Sequence, residues 1–187
     1  MDLLHALSTR RTASGFADAV PPRAVLERII EAATWAPNHR KTEPWRFHVV
    51  AGDARIELGD RLGAWMQSAE GASEAKIEST RKKLVRSPVI VVVIQPGSPD
   101  DPMRDLEDYA AASCATQNLL LAAHGEGLAS KWSTGAMATM PPAFEYFGLA
   151  PTDRIVGFVY LGYPADGSEE RAAERQPAVV SWRGLEE

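Results

Sequence analysis

Arg10 and Arg11 stand side by side in STRRTASGF, residues 8–16, among the hydroxyls of Ser8, Thr9, Thr12 and Ser14. Two forked guanidinium groups with hydroxyls around them suit a phosphate monoester, which accepts several charge-assisted hydrogen bonds at once. The same pair at the exit of a short helix also suits a plainer role, complementing the helix dipole in solvent. The segment alone leaves both readings open. A second concentration is TWAPNHRKTEPWRFHVV, residues 34–50, which holds Trp35, His39, Lys41 and Trp45. A connection that only reversed the chain would use Gly, Asn and Ser, so cations and broad aromatic surfaces here point to a ligand wall or a well-packed corner. In KWSTGAM, residues 131–137, the backbone of Ser133, Thr134 and Gly135 is able to present N–H groups to a ligand. For Trp35, Trp45 and Trp132, core packing and ligand contact stand level.

Other chemistries find no residues to carry them. The chain has no GxxxxGK[ST], GxGxxG, HExxH, CxxC or GxSxG segment, which argues against a P-loop nucleotidase, a Rossmann dehydrogenase, a zincin or a serine hydrolase. The four His are far apart, none with a second His or a carboxylate at ligand spacing, and Cys114 is the single cysteine. No metal site and no intrachain disulfide are expected. With no side-chain nucleophile or acid–base pair in view, no catalytic side chain is assigned. Any difficult chemistry would fall to a cofactor.

The elements that must position these segments follow from periodicity. PRAVLERIIEAATW, residues 22–35, sets Val25, Leu26, Ile29, Ile30 and Ala33 on one helical stripe that Pro37 ends. Leu3, Leu4 and Leu7 suggest a short opening helix that stops at the paired Arg. RFHVVA (46–51), PVIVVVIQ (88–95) and RIVGFVYLG (154–162) read as strands, the last two buried, with two charged helical stretches between the first pair. From about Arg104 to Gly125 and Gly127 runs a central helix almost free of charge after Asp108, which must be buried or lie in a subunit interface. PPAFEYFG is a short helix begun by Pro and ended by Gly148. In the charged tail, 169–187, PAVVSW looks like a strand without a partner nearby.

Composition bounds the rest. At 187 residues and 45% apolar content, the chain suits one domain, 1–187, of α+β or α/β type. Its formal charge of −5 and pI near 5.4 argue against a nucleic-acid partner. No run approaches the roughly 20 apolar residues of a membrane span, and the start lacks a signal-peptide pattern. A cytoplasmic, soluble protein is expected.

Four segments in order, xxRRTxSxF at the start, WAPNHRKTEPWRF after the first long helix, QNLLLAAHGEGLASKWSTGA past mid-chain and RIVGFVYLGYP near the end, resemble the nitroreductase-like flavoprotein family. The resemblance is to its short single-domain bacterial members and spans nearly the whole chain. It implies an α+β sandwich, a central mostly antiparallel sheet flanked by helices, and a homodimer that exchanges its C-terminal strands. It further implies FMN in each of two clefts at the subunit interface. By that resemblance Arg10, Arg11 and Thr12, with Ser14 nearby, hold the phosphate and ribityl chain. Trp35 and His39 reach across the dimer, Pro44 and Trp45 form a structural pair, and the backbone of Trp132, Ser133, Thr134 and Gly135 runs along the flavin ring. Arg175 is a further phosphate ligand, and Lys41 and Lys131 are cations available to the ring's polar edge. Larger relatives have Lys where Ser14 stands and Asn where Lys41 stands, a difference that bears on redox tuning. The implied activity is ping-pong hydride traffic from NADH or NADPH to a nitroaromatic, quinone or similar small oxidant. An FMN-storing or redox-sensing protein with little turnover is the alternative.

Overall fold

The unbroken apolar run at 89–95 becomes the centre of a four-stranded sheet because both of its faces are covered. A computed structural model describes residues 2–165 and 175–184. Its strands are β1 (Arg46–Ala51), β2 (Val89–Gln95), β3 (Ala129–Ser133) and β4 (Arg154–Gly162), ordered β1-β2-β4-β3. Every pairing among them is antiparallel. Alternation along β2 sends Val89, Val91 and Val93 into one core and Ile90, Val92 and Ile94 into another, as the two-residue period of a strand requires.

The first core lies under α2 (Arg23–Ala33) and α5 (Pro102–Gly125). From the predicted stripe of α2, Leu26, Ile29 and Ala33 are buried, and Ala111, Ala112, Ala115, Leu119 and Ala123 of α5 meet them. The second core lies under α3 (Asp53–Glu70), α4 (Glu74–Val85) and α6 (Pro141–Phe147), through Leu58, Leu62, Met66, Leu84 and Phe147. Caps fall where the sequence supplies them. Asp101 accepts the Arg104 N–H at 3.0 Å just ahead of Pro102, and Gly148 takes the left-handed conformation that ends α6. A short opening helix, α1 (Leu3–Thr9), lies against α5.

One feature departs from the sequence reading. Residues 129–133 form an edge strand that was not anticipated, since ASKWS is short and shows no apolar alternation. Residues 177–182 form no strand within the chain, and Val179, Val180 and Trp182 are exposed. A lone extended segment has no ladder to join here. Residues 169–174 and 185–187 of the expected tail lie outside the described residues.

α5 also answers the question its composition posed. One side is buried in the first core, while Met103, Leu106, Ala110, Cys114 and Gln117, at the spacing of one helical face, are exposed. Leu3, Leu4 and Leu7 of α1 are exposed as well. No helix among the described residues is long and apolar enough to cross a membrane.

Candidate functional site

The chain leaves α1 at Arg10 and docks on the free edge of β3. Thr12 and Ser130 form an isolated parallel bridge, and the Ala13 N–H donates to the Ser130 carbonyl at 2.9 Å. This contact fixes Arg10, Arg11, Thr12 and Ser14 beside the strand that runs into Trp132, Ser133, Thr134 and Gly135. Two segments far apart in sequence thus become one site. Arg11 is folded back on the turn, its guanidinium donating to the carbonyls of Ser8 at 2.7 Å and Arg10 at 2.9 Å. Arg175 lies close enough to act on Arg10: burial first, then the charges of Arg11 and Arg175, hold the Arg10 guanidinium below its usual pKa. Arg11 and Arg175 thus lie within electrostatic reach of Arg10, an arrangement that an anion would stabilise.

Three side chains that the sequence did not single out, His124, Ser130 and Arg86, meet this segment or its strand. Thr9 Oγ1 donates its only proton to the His5 carbonyl at 2.7 Å. His124 Nε2, 2.9 Å from the same oxygen, is therefore the donor, which fixes its protonated nitrogen. The Ser130 hydroxyl is buried without a hydrogen-bond partner among the described residues. The Ser14 carbonyl accepts from the Arg86 guanidinium at 3.4 Å, and Arg86 lies over the Tyr160 ring, 5.7 Å from its centroid.

The three Trp divide. Trp45 is core, 6% exposed. The Trp132 side chain is also structural: the register of β2 on β4 skips Val156, and the Trp132 Nε1–H donates to the Val156 carbonyl at 3.2 Å. Its indole lies against Gly157, where a Cβ would collide with the ring. The indole of Trp132 is thus partly buried against the sheet. Further along, Gly135 has φ +110° and ψ −172°, a conformation that side chains forbid. Trp35, by contrast, is 81% exposed.

Trp35, His39 and Lys41 belong to a different place. The corner leads into β1, one edge of the sheet, whereas Thr12 docks on β3, the other. Three strand spacings of about 4.8 Å separate the edges by about 14 Å. Lengthwise, Thr42 Oγ1 donates to Asp108 at 2.6 Å and Arg40 lies 3.5 Å from Asp101, both near the start of α5, whereas Thr9 meets His124 near its end. At 1.5 Å per residue, Asp108 and His124 are about 24 Å apart along the helix. Within one subunit the corner and the arginine cluster do not share a cleft. The corner itself is strained: Arg40, Lys41 and Glu43 have φ of +57°, +53° and +44°, a region that L-residues occupy at a penalty. His39, Arg40 and Lys41 are exposed.

Known proteins are similar to this chain in sequence and fold. The candidate NAD(P)H nitroreductase YdjA of Escherichia coli (strain K12) is 33% identical over 167 residues, covering 88% of this chain and 89% of its own. The crystal structure of a nitroreductase-like family protein from Bacillus cereus superposes with a TM-score of 0.80 at 30% identity, covering 96% of this chain and 92% of that one. A nitroreductase with bound FMN from Bacteroides fragilis shares the fold at a TM-score of 0.74 and 22% identity, covering 96% and 97% of the two chains. Residues 7–163 match the model of the nitroreductase family, and with that span and those relatives the chain belongs to the nitroreductase family.

Proposed function

We propose that the protein is an FMN-dependent oxidoreductase that works as a homodimer with two shared clefts, taking hydride from NADH or NADPH and passing it to a nitroaromatic, quinone or similar small oxidant in alternation. The observation that carries this reading is the separation of the two halves of the site along α5. An isologous pairing of the exposed α5 faces about a two-fold axis perpendicular to the helix runs the two helices antiparallel. The start of one α5 then lies beside the end of the other. Trp35, His39 and Lys41 of one subunit thereby reach the Arg10 cluster of its partner. The exposed faces of α5 and α1, with Val179, Val180 and Trp182 of the tail, supply the apolar surface such a contact buries. In the same assembly, 177–182 adds to the partner's sheet as an edge strand.

The residues fit the cofactor. Arg10, Arg11 and Arg175 form a cationic cluster matched to a phosphate dianion, and Thr12 and Ser14 add hydroxyls for the phosphate end. The unusual Gly135 conformation exposes backbone N–H groups of 133–135 to a planar ring's polar edge, with Lys131 on the adjoining strand and Lys41 from the partner as nearby cations. Bound FMN supplies hydride acceptance from the nicotinamide and its return to the oxidant. The protein binds, orients and shields. That YdjA bears the name of an NAD(P)H nitroreductase, and that a protein of this fold holds FMN, supports the assignment.

The test is direct. Purified protein is expected to be yellow, to release FMN on denaturation, to bleach with NADH or NADPH and to recover colour with a quinone. A colourless protein indifferent to added FMN overturns the cofactor assignment. Tight FMN binding without bleaching by either nucleotide overturns the enzymatic one and leaves storage or sensing.

A further inference from the structure

Asp108 is the one charged residue that is buried among the described residues, 3% exposed. A buried carboxylate is expensive unless it is paired and hydrogen-bonded, and the packing of α5 does not ask for one: its other buried residues are Ala, Leu and Thr. Its two oxygens are both engaged. One accepts the Thr42 hydroxyl at 2.6 Å. The other accepts from Arg104 Nε at 3.4 Å, a longer and partly exposed contact.

Thr42 is the centre of the strained corner, flanked by the left-handed residues Arg40, Lys41 and Glu43. A turn with three such residues does not hold its shape by local preference and needs restraint from outside. Within the turn the Thr42 N–H and hydroxyl lie 3.4 and 3.3 Å from the His39 carbonyl, and the Trp45 N–H donates to the Glu43 carbonyl at 2.8 Å; three further restraints act on it. The Glu43 N–H donates to Asn38 Oδ1 at 3.1 Å, within the turn itself. Arg40 and Asp101 make an exposed pair at 3.5 Å, a type of contact worth little. The short, part-buried, charge-assisted bond from Thr42 to Asp108 is the strong one, and it ties the turn to α5. What the turn then presents outward is His39 and Lys41, with Trp35 at its approach.

We infer that Asp108 is a positioning residue for the flavin site of the partner subunit: through Thr42 it fixes the turn whose exposed side chains complete a cleft that Asp108 itself never touches. This rests on the two-subunit site proposed above. It makes Asp108 and Thr42 the link between α5, the interface helix of a subunit, and the wall it lends to its neighbour.

The experiment uses full-length dimers and reads FMN affinity by quenching of flavin fluorescence. Thr42→Val, which keeps the shape and removes the hydroxyl, is expected to weaken FMN binding about 10-fold or more, the loss for one charge-assisted bond. Thr42→Ser, which keeps the donor, is expected to restore most of it. Differently tagged subunits then give isolated heterodimers of Thr42→Val with Arg10→Ala. These are expected to hold one site of wild-type affinity, because the intact Arg10 and the intact corner face each other across the dimer. If that heterodimer has no intact site, Thr42 acts on its own subunit and the inference is wrong. A loss in Thr42→Ser equal to that in Thr42→Val also overturns it. The companion heterodimer of His39→Ala with Arg10→Ala separates the two levels. If it too lacks an intact site, the two-subunit reading fails first; if it has one while the Thr42 pair does not, only the role of Asp108 falls. Should Thr42→Val not fold, Asp108→Asn, of the same shape, is read in the same pairs.

Discussion

Replacing Arg10 by Ala separates a ligand-binding arginine from a structural one, because the structure predicts opposite consequences for the cofactor and for the fold. Arg10 is half-buried beside Arg11 and Arg175, and burial together with those two charges disfavours its own positive charge. Without an anion it is a burden on the folded chain. With a phosphate in place it supplies charge-assisted hydrogen bonds, each worth about 1.5–3 kcal/mol. Removing it also relieves Arg11 and Arg175 of a like charge, so the net loss falls toward the lower end, about 1.5–2 kcal/mol or roughly 10- to 30-fold in FMN affinity. Riboflavin has no phosphate and should lose little. The apo-protein should melt no lower than wild type, since about 1 kcal/mol of lost stability would show as a shift of about 2–4 °C in a chain of this size. Fluorescence titration with FMN and riboflavin, beside thermal melts of flavin-free protein, gives all three numbers. Equal losses for the two flavins would move the phosphate site elsewhere, and a melting point lowered by several degrees would make Arg10 a structural residue.

Three further outcomes follow from the geometry. Gly135→Ala is expected to destabilise by about 1–3 kcal/mol in urea unfolding through backbone strain alone, because φ is +110° and a Cβ there meets nothing within 4 Å; an unchanged midpoint would mean that the turn at 133–135 is not held as described. Burial lowers the pKa of His48, whose ring packs edge-on against Phe147 at 5.1 Å. The unfolded chain therefore binds the proton more readily, so this contribution to stability is full above about pH 6.5 and is lost as pH falls through that value toward the lower folded pKa. His48→Phe should flatten the dependence of the melting temperature on pH between 8 and 5, and an unchanged slope would remove His48 from the account. Deleting the chain from Pro177 onward should raise the monomer fraction at micromolar concentration in light scattering and lower the melting temperature; a flavin-loaded monomer of undiminished stability would refute the shared site.

The parts of the fold that were legible in the sequence are those set by period and burial over long runs. PVIVVVIQ and RIVGFVYLG had to be buried strands because the runs between their polar ends are unbrokenly free of polar side chains other than one Tyr hydroxyl, and the stripe of α2 had to face a core. The grouping of Arg10, Arg11 and Thr12 was visible because hydroxyls and guanidiniums adjoin in sequence. What was not legible depends on partners distant in the chain. The edge strand β3 exists because β4 offers a ladder to residues 129–133, whose own sequence has neither alternation nor length. The inward turn of Trp132 depends on the skipped Val156 and on the missing side chain of Gly157, so Trp132 alone gave no means of choosing between core and ligand.

Asp108 shows where such a signal does exist. A carboxylate on the face of α5 whose other buried residues are Ala, Leu and Thr conflicts with packing, and a conflict of that kind marks a place where something other than packing is being served. The sequence shows the conflict but not its partner, because Thr42 lies in a turn whose shape local preference does not specify. Once the turn is seen, the left-handed residues and the buried charge account for each other: the strained corner needs an anchor, and the carboxylate needs a donor. The same link explains why the corner stands at the start of α5 rather than beside the arginine cluster. In the proposed dimer, a wall that serves the neighbouring subunit must be carried by the helix that faces that neighbour, and α5 is the helix whose outer face carries Met103 and Leu106 exposed.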